Sequence, residues 1–477
     1  MDQRTRILVA AALVVFLCAA LAVQAAAIDR EVRGGAIDDE ALYGGENDST
    51  PVPAEAELDP DERGNTLISV HSYRNNGALV EVDADGEVVW EWRPPDSRVW
   101  AAEHLDPDTV LVAVAYYVDA EDCPEEHITH ETYTDHQDHC VENVIKELDK
   151  DTKEANWDYR WYDDFIHWHE VHDIEYMGDG EIAVSDMGND RAFVVNREGE
   201  ITWEWLAKEH LNETNSDGET TPFWEEYVED NPHLGEGDKN RLRYNDPRDD
   251  WTHKNDIAYL ENGNFQMSIR NFDVIIEVDP ETDEIVDVIG EPGNHSILER
   301  QHNPHRLDAH DTMLVADSEG NRIIEIDLAT EHREIIWEYH GPPGEDLQWP
   351  RDASRLPNGN TLVTDSRNNR VLEIDPDGDV VWMFEDPGGE VIPNPYEADR
   401  VLVDEQPDAP PGDNLTAIEH DRNPVQETVR EGETLAQWVL PSWMHLPQLL
   451  NLLGIVFGSL WLLGELALIG WRGVRSR

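Results

Sequence analysis

Two histidines, an asparagine and an arginine stand near the middle of the chain in a pattern that could do chemistry. His253 and Asn255 lie in Trp251-Thr-His-Lys-Asn-Asp256, Arg270 follows, and His302 lies in Gln301-His302-Asn303-Pro304-His305, with His172 upstream in Val171-His172-Asp173. A neutral imidazole can attack as a nucleophile or carry a proton. A guanidinium and an amide side chain can hold an oxyanion. Together they describe a cationic, hydrogen-bonding pocket in a chain that is otherwise strongly acidic. Taken singly, each would cap a loop or pair with an acid; the grouping is what points to a site. No Gly-rich phosphate loop, dinucleotide fingerprint or Gly-x-Ser-x-Gly elbow accompanies these residues, so neither a nucleotide cofactor nor a serine hydrolase is expected. No other cofactor is expected.

The grouping emerges from an internal repeat. Six copies of a Glu-Val-Asp-like step are anchored at Asp83, Asp149, Asn196, Asp279, Asp327 and Asp375, with intervals of 66, 47, 83, 48 and 48 residues. A copy typically runs from a polar entry through a turn such as Leu356-Pro-Asn-Gly359 to short strands, an Asp-Gly turn and a last strand ending in Trp. Alternating aliphatic and polar residues punctuated by such turns read as antiparallel hairpins. The period is that of a propeller blade, and six copies predict a six-bladed, all-β propeller. In register, 24 residues before the anchors of copies three to six stand His172, Asn255, Asn303 and Arg351; 26 before stand Glu170, His253, Gln301 and Trp349; 25 before stand Val171, Lys254, His302 and Pro350. Nine before the anchor, Arg270 replaces the Met187, Ser318 and Ser366 of the other copies. If these entries belong to innermost strands, they converge on the mouth of the central channel.

These motifs resemble the arylsulfotransferase family, the arylsulfate sulfotransferases of the bacterial periplasm and their archaeal relatives. The likeness covers about residues 64 to 389. It is most specific at Trp-Thr-His253-Lys-Asn255, Arg270 and Gln301-His302. The resemblance implies a six-bladed propeller that moves a sulfuryl group from an aryl sulfate to a phenol without a nucleotide donor. It makes His302 the counterpart of the nucleophile, His253 and Asn255 the His-x-Asn pair, Arg270 the arginine that follows, and His172 a further active-site histidine. His305 competes with His302 if the register slips. The chain departs from the bacterial enzymes in its short acidic N-terminal linker and its C-terminal apolar segment, and is more similar to a membrane-anchored haloarchaeal member.

The rest of the chain sets the surroundings. Residues 1–28 read as a signal peptide or signal anchor, with Arg4 and Arg6 before the apolar run Ile7 to Val23. Residues 29–63 are an acidic linker that could add an outer strand, 64–389 the propeller, and 390–445 a Pro-rich acidic spacer. Residues 446–471 form a transmembrane helix and 472–477 a basic cytoplasmic tail, which places the propeller on the extracellular side of the cell membrane. A formal charge of −69, from 104 acids against 35 bases, suits a halophile's solvated surface and excludes a nucleic-acid face. Cys123 and Cys140 bracket an insertion and are expected to form a disulfide. A zinc site with His127, His130, Asp135, His136 and His139 is the competing reading. Two other functions stay open: a non-catalytic surface propeller for adhesion or scaffolding, and a quinone-dependent dehydrogenase suggested by the tryptophans that end the repeats.

Overall fold

The computed structural model describes residues 3–27, 32–36, 64–71, 76–119, 121–124, 139–163, 169–247, 249–330, 332–342, 345–401 and 446–475. The chain divides into two compact units, residues 33–419 and the paired termini, 1–32 with 420–477.

The first unit is a ring of six antiparallel sheets, as the repeat predicts. Blade two consists of Ser97–Asp106, Thr109–Asp119, His139–Asp149 and Ala155–Asp163, and blade three of Val171–Gly178, Glu181–Asp186, Arg191–Val195 and Ile201–Leu206. Blade four is Lys254–Tyr259, Phe265–Ile269, Val274–Asp279 and Glu284–Gly290; blade five is His302–Leu307, Thr312–Asp317, Arg322–Asp327 and Ile335–Tyr339. Blade six is Pro350–Arg355, Thr361–Asp365, Arg370–Ile374 and Val380–Glu385, with Arg33–Ala36 paired to its outer edge. Blade one joins the two ends of the ring: Thr66–Val70, Ala78–Val82 and Val88–Trp92 receive their innermost strand, Pro395–Arg400, from beyond blade six.

That last pairing corrects the expected start of the spacer at residue 390. Pro395-Tyr-Glu-Ala-Asp-Arg400 carries charge and a proline, so its composition resembles linker, yet it pairs with Thr66–Val70 and buries Tyr396 and Ala398. Pairing one strand from each end of the chain removes the free edges an open ring would leave.

Repeated contacts weld neighbouring blades. The indole N–H of Trp90 donates to the Lys150 carbonyl of blade two at 2.9 Å, Trp157 to Arg197 of blade three at 3.0 Å, Trp205 to Asp283 of blade four at 3.2 Å, and Trp382 of blade six to Ala84 of blade one at 3.0 Å. The glutamate of each Glu-Val-Asp step pairs with a base of the next blade: Glu277 with Arg306 at 2.8 Å, Glu325 with Arg355 at 2.8 Å, and Glu373 with Arg400. In an acidic protein these glutamates are structural, because a buried carboxylate without its base would be expensive.

Cys123 and Cys140 form the expected disulfide, with Cα atoms 6.1 Å apart. Their thiolates are therefore not available to zinc; His127, His130, Asp135, His136 and the His139 side chain lie outside the described residues.

In the second unit, helix Gln3–Ala27 packs against helix Leu446–Arg475. Ile7–Gln24 and Leu449–Leu468 are both long and apolar enough to cross a membrane. The helices run antiparallel: Asn451 donates to the Gln24 amide oxygen at 2.6 Å, Leu17 fills the space at Gly454, and Val14 that at Gly458. A side chain at either glycine would collide with the facing helix, which is how small residues let helices approach in lipid.

The buried Arg355–Glu325 pair yields a test of the inter-blade welds. Arg355→Met should cost roughly 3 to 5 kcal/mol by leaving Glu325 buried and unpaired, while Arg355→Met combined with Glu325→Leu should cost clearly less. Chemical denaturation in molar salt measures both. Equal losses would deny the pair this role.

Candidate functional site at the channel mouth

Six innermost strands line the axis, and each begins with an irregularity. In blade three Asp186 faces Val171 and Ser185 faces Asp173, leaving His172 unmatched. In blade four the unmatched residue is Asn255, between Lys254 and Asp256, and in blade six it is Arg351, between Pro350 and Asp352. In blade five the break lies between His302 and His305. Trp100 lies within the break of blade two, and Tyr396 within that of blade one. A bulge bends its strand and redirects a side chain out of the alternating pattern. Repeated around a ring, bulges turn the entry residues toward one another.

His302 is completely buried. Its Nδ1 lies 2.9 Å from the Ser318 hydroxyl and 3.1 Å from the Arg300 carbonyl. The Ser318 hydroxyl donates its own proton to the Pro350 carbonyl at 2.5 Å, so it can only accept from His302. These two acceptors suit a hydrogen on Nδ1 and a lone pair on Nε2, although Arg351 Nη1 also lies 2.9 Å from Nδ1. Arg351, a donor without acceptors, places Nη1 against that Nε2. Its guanidinium also stacks on Trp349, 3.3 Å from the ring centre.

His253 occupies a left-handed conformation, φ 46°, at the end of the long insertion before blade four. The insertion folds as short helical turns whose Phe223, Trp224, Val228 and Leu242 pack with Trp251 and Phe272. Trp251 donates to the Leu242 carbonyl at 2.9 Å. Thr252 is held by Asp190 through its amide at 3.0 Å and its hydroxyl at 2.5 Å. His253 Nδ1 then meets the Asp250 carboxylate at 2.7 Å, which leaves Nε2 as its other nitrogen.

His172 is buried and neither ring nitrogen has a hydrogen-bond partner among the described residues. Its ring lies 5.2 Å from that of His253, 5.3 Å from Tyr396 and 4.0 Å edge-on from Trp100, which stacks on His71. Tyr396 stands 6.0 Å from His302. Arg270 donates to Asn271 at 2.8 Å and lies 3.5 Å from Glu319. Asn255 donates to the Gln301 carbonyl at 2.8 Å, and so fixes the backbone that presents His302.

Burial pushes the His302, His172 and His71 imidazoles well below the usual histidine range, and nearby guanidinium groups reinforce it: Arg351 and Arg270 at His302, Arg351 at His172, Arg98 and Arg351 at His71. Burial also lowers His253, opposed by Asp250. Farther along the axis, burial raises Asp173 to about 7, and burial with the neighbouring Asp173 and Asp352 charges raises Glu397 well above the carboxylate range.

Ligand atoms of His172, His253 and His302 lie within 4.8 Å of one another, a spacing that could hold a metal ion. The surrounding charge opposes one. Arg351 already engages the Nε2 lone pair of His302, and Arg270 adds a second cation. Imidazoles ringed by two guanidinium groups suit an anion better.

The structure brings together all five residues expected from the sequence, His172, His253, Asn255, Arg270 and His302. Asn255 differs in its task, since its amide is spent on Gln301. His305 is drawn off to the Asp352 carboxylate at 2.9 Å. Arg351 was in register but not singled out, because an arginine among so many acids resembles an ion-pair partner. Trp100 and Tyr396 escaped the register because one blade carries an insertion and the other takes its inner strand from the far end of the chain. Asp250 and Ser318 show themselves only through their contacts.

Residues 172–303 match the family model described as Arylsulfotransferase (ASST). No curated protein matches the chain. Among solved structures it is similar to a protein of unknown function from Bacteroides caccae, at 14% identity, covering 70% of this chain and 98% of that one with a TM-score of 0.45. It is also similar to a catalytically inactive virginiamycin B lyase from Staphylococcus aureus with quinupristin, at 10% identity, 76% and 90% coverage and a TM-score of 0.37. Likenesses this loose say nothing about activity.

The depressed His172 value has a consequence for stability. Below about pH 6.5 the unfolded chain takes up this proton and the folded one does not, so stability is lost as pH falls, by up to about 1.4 kcal/mol per pH unit for one group. His172→Gln should flatten the fall between pH 6.5 and 5, measured by denaturant titration in molar salt. An unchanged slope would show that the buried imidazole does not resist protonation.

Proposed function

Taking the chain as a protein with an arylsulfotransferase-family domain, we propose that it transfers a sulfuryl group from an aryl sulfate to a phenolic acceptor through a histidine-bound intermediate, with no nucleotide donor and no cofactor. The observation that carries this reading is the setting of His302: a buried imidazole held at Nδ1 by Ser318 and the Arg300 carbonyl, set among guanidinium groups able to receive a sulfate ester.

His302 Nε2 attacks sulfur, an S–N bond forms, and the S–O bond to the aryl oxygen breaks with its electron pair leaving on the phenolate. His253, entering the cycle as an imidazolium held by the Asp250 carboxylate, gives that oxygen a proton from Nε2. Arg270 and Arg351 face the three sulfuryl oxygens, Arg351 moving off Nε2 as sulfur arrives. In the second half a phenol passes its proton to His253 and attacks sulfur. The S–N bond breaks and His302 returns to its starting form. Trp100 and Tyr396 offer aromatic faces to both aryl groups. His172 lines the pocket and Asn255 holds the Gln301-His302 backbone.

The propeller's acids leave this mouth as a local concentration of positive charge, which draws an anionic donor inward. We extend the reading to placement: the two apolar helices anchor the protein in the cell membrane, with Arg4, Arg6, Arg472, Arg475 and Arg477 on the cytoplasmic side and the propeller outside. A scaffold or a quinone enzyme finds no comparable support, since neither accounts for uncharged imidazoles gathered with arginines.

Initial rates with donor and acceptor both varied should give parallel double-reciprocal lines. His302→Ala should lower kcat/KM at least about 1000-fold, and Arg270→Ala about 100- to 1000-fold. Intersecting lines, or a folded His302→Ala protein within about tenfold of wild type, would overturn the covalent route.

A further inference from the structure

We propose that Asp250 and Ser318 are positioning residues that divide the work between the two imidazoles, Asp250 making His253 the proton carrier and Ser318 keeping His302 the uncharged nucleophile. This rests on the sulfotransferase reading and deepens it.

Both histidines are gripped at Nδ1, by Asp250 Oδ1 at 2.7 Å and by Ser318 Oγ at 2.9 Å. Each grip suits a hydrogen on Nδ1 and leaves Nε2 for chemistry, in His302 once Arg351 moves off it. The acceptors differ in charge. A carboxylate stabilises an imidazolium beside it, so His253 can take a proton in one half-reaction and return it in the other. A hydroxyl whose proton is committed to Pro350 fixes the tautomer but offers no compensating charge. With Arg351 and Arg270 nearby, protonation of His302 is opposed from every side. A nucleophile that must stay unprotonated and an acid/base that must not are thereby separated within one pocket.

The chain invests in holding Asp250 still. Its carbonyl accepts from Asn271 Nδ2 at 2.7 Å, and Asn271 N–H donates to the Thr252 carbonyl at 3.0 Å. The next residue, Trp251, is buried in the insertion's core. Burial pushes the Asp250 carboxyl up, but His253 and Arg270 outweigh it and hold it below the usual range, so it is ionised where the proposal needs it. Ser318 stands where the register of blade four has Arg270, and blades three and six have Met187 and Ser366. Ser366 donates to the Pro395 carbonyl at 2.6 Å as Ser318 does to Pro350. The hydroxyl-to-carbonyl bond thus recurs in blades five and six, and among the described residues the histidine that meets it is in blade five.

The two roles predict different responses to the leaving group. A donor whose phenolate leaves easily depends little on a proton; one with a poor leaving group depends on it heavily. In the full chain in molar salt, Asp250→Asn should slow nitrophenyl sulfate about tenfold and unsubstituted phenyl sulfate about 1000-fold. Ser318→Ala should slow both donors by the same factor, about tenfold, and Ser318→Thr, which keeps the hydroxyl, should recover most of the loss. Equal losses on both donors for Asp250→Asn, or a leaving-group dependence in Ser318→Ala, would overturn the division. Spectra of the 15N-histidine protein give a readout independent of turnover. They should show hydrogen on Nδ1 of both residues, with the His253 titration displaced downward in Asp250→Asn and that of His302 unmoved. A titration of His253 unmoved by Asp250→Asn contradicts the proposal. If the spectra behave as expected and no aryl sulfate is turned over, the sulfotransferase reading fails and the histidine assignments stand.

Discussion

Everything at the site depends on closing six sheets around one axis. Once Pro395–Arg400 pairs with Thr66–Val70, six strand entries must share a single opening, and none can point its first residues away from the others. The bulges turn this crowding to use: a strand in regular register would alternate its side chains between the faces of its own blade, whereas an unmatched residue faces the axis. His172, Asn255, Arg351 and Tyr396 are thus brought to one place from four blades. The welds between blades, indole to turn carbonyl and glutamate to arginine, hold that opening to a fixed shape.

The same closure creates an electrostatic inversion. A chain with a formal charge of −69 carries its acids mostly where water and salt can screen them. At the channel mouth the Arg270 and Arg351 guanidinium groups gather with the His172, His253 and His302 imidazoles, with the Asp250 and Glu319 carboxylates beside them. Burial, with the neighbouring Asp173 and Asp352 charges, raises the Glu397 carboxyl well above the usual range. The arginines can act on whatever anion enters. Removal from water makes each of their interactions stronger than it would be on the surface. The arrangement costs stability at acidic pH, since buried imidazoles must be kept uncharged.

Much of this could be read from the residues alone, and the reason lies in periodicity. A repeat near 48 residues exposes positions that break it, so His253, Arg270 and His302 stood out against their equivalents, and the all-β six-bladed ring followed from the count of Glu-Val-Asp steps. Periodicity also set the limit of the reading. Tyr396 lies past the last anchor, in a stretch whose proline and acids resemble a spacer, and is recruited by a pairing across the whole length of the chain. Trp100 belongs to a blade whose register is disturbed by the loop between Cys123 and Cys140. Asp250 closes an insertion with no counterpart in other blades, and Ser318 looks like the ordinary serine of its repeat. Their importance comes from what they touch, which spacing does not encode.

The central claim is that His302 bonds to sulfur, and rapid mixing with an aryl sulfate in the absence of any phenol acceptor addresses it directly. The account predicts a burst of about one phenol per active site, followed by a peptide containing Gln301-His302 that carries one sulfuryl group on the imidazole. A label on His253, His172 or Tyr396 instead, or turnover by a fully active protein without a burst, would contradict it.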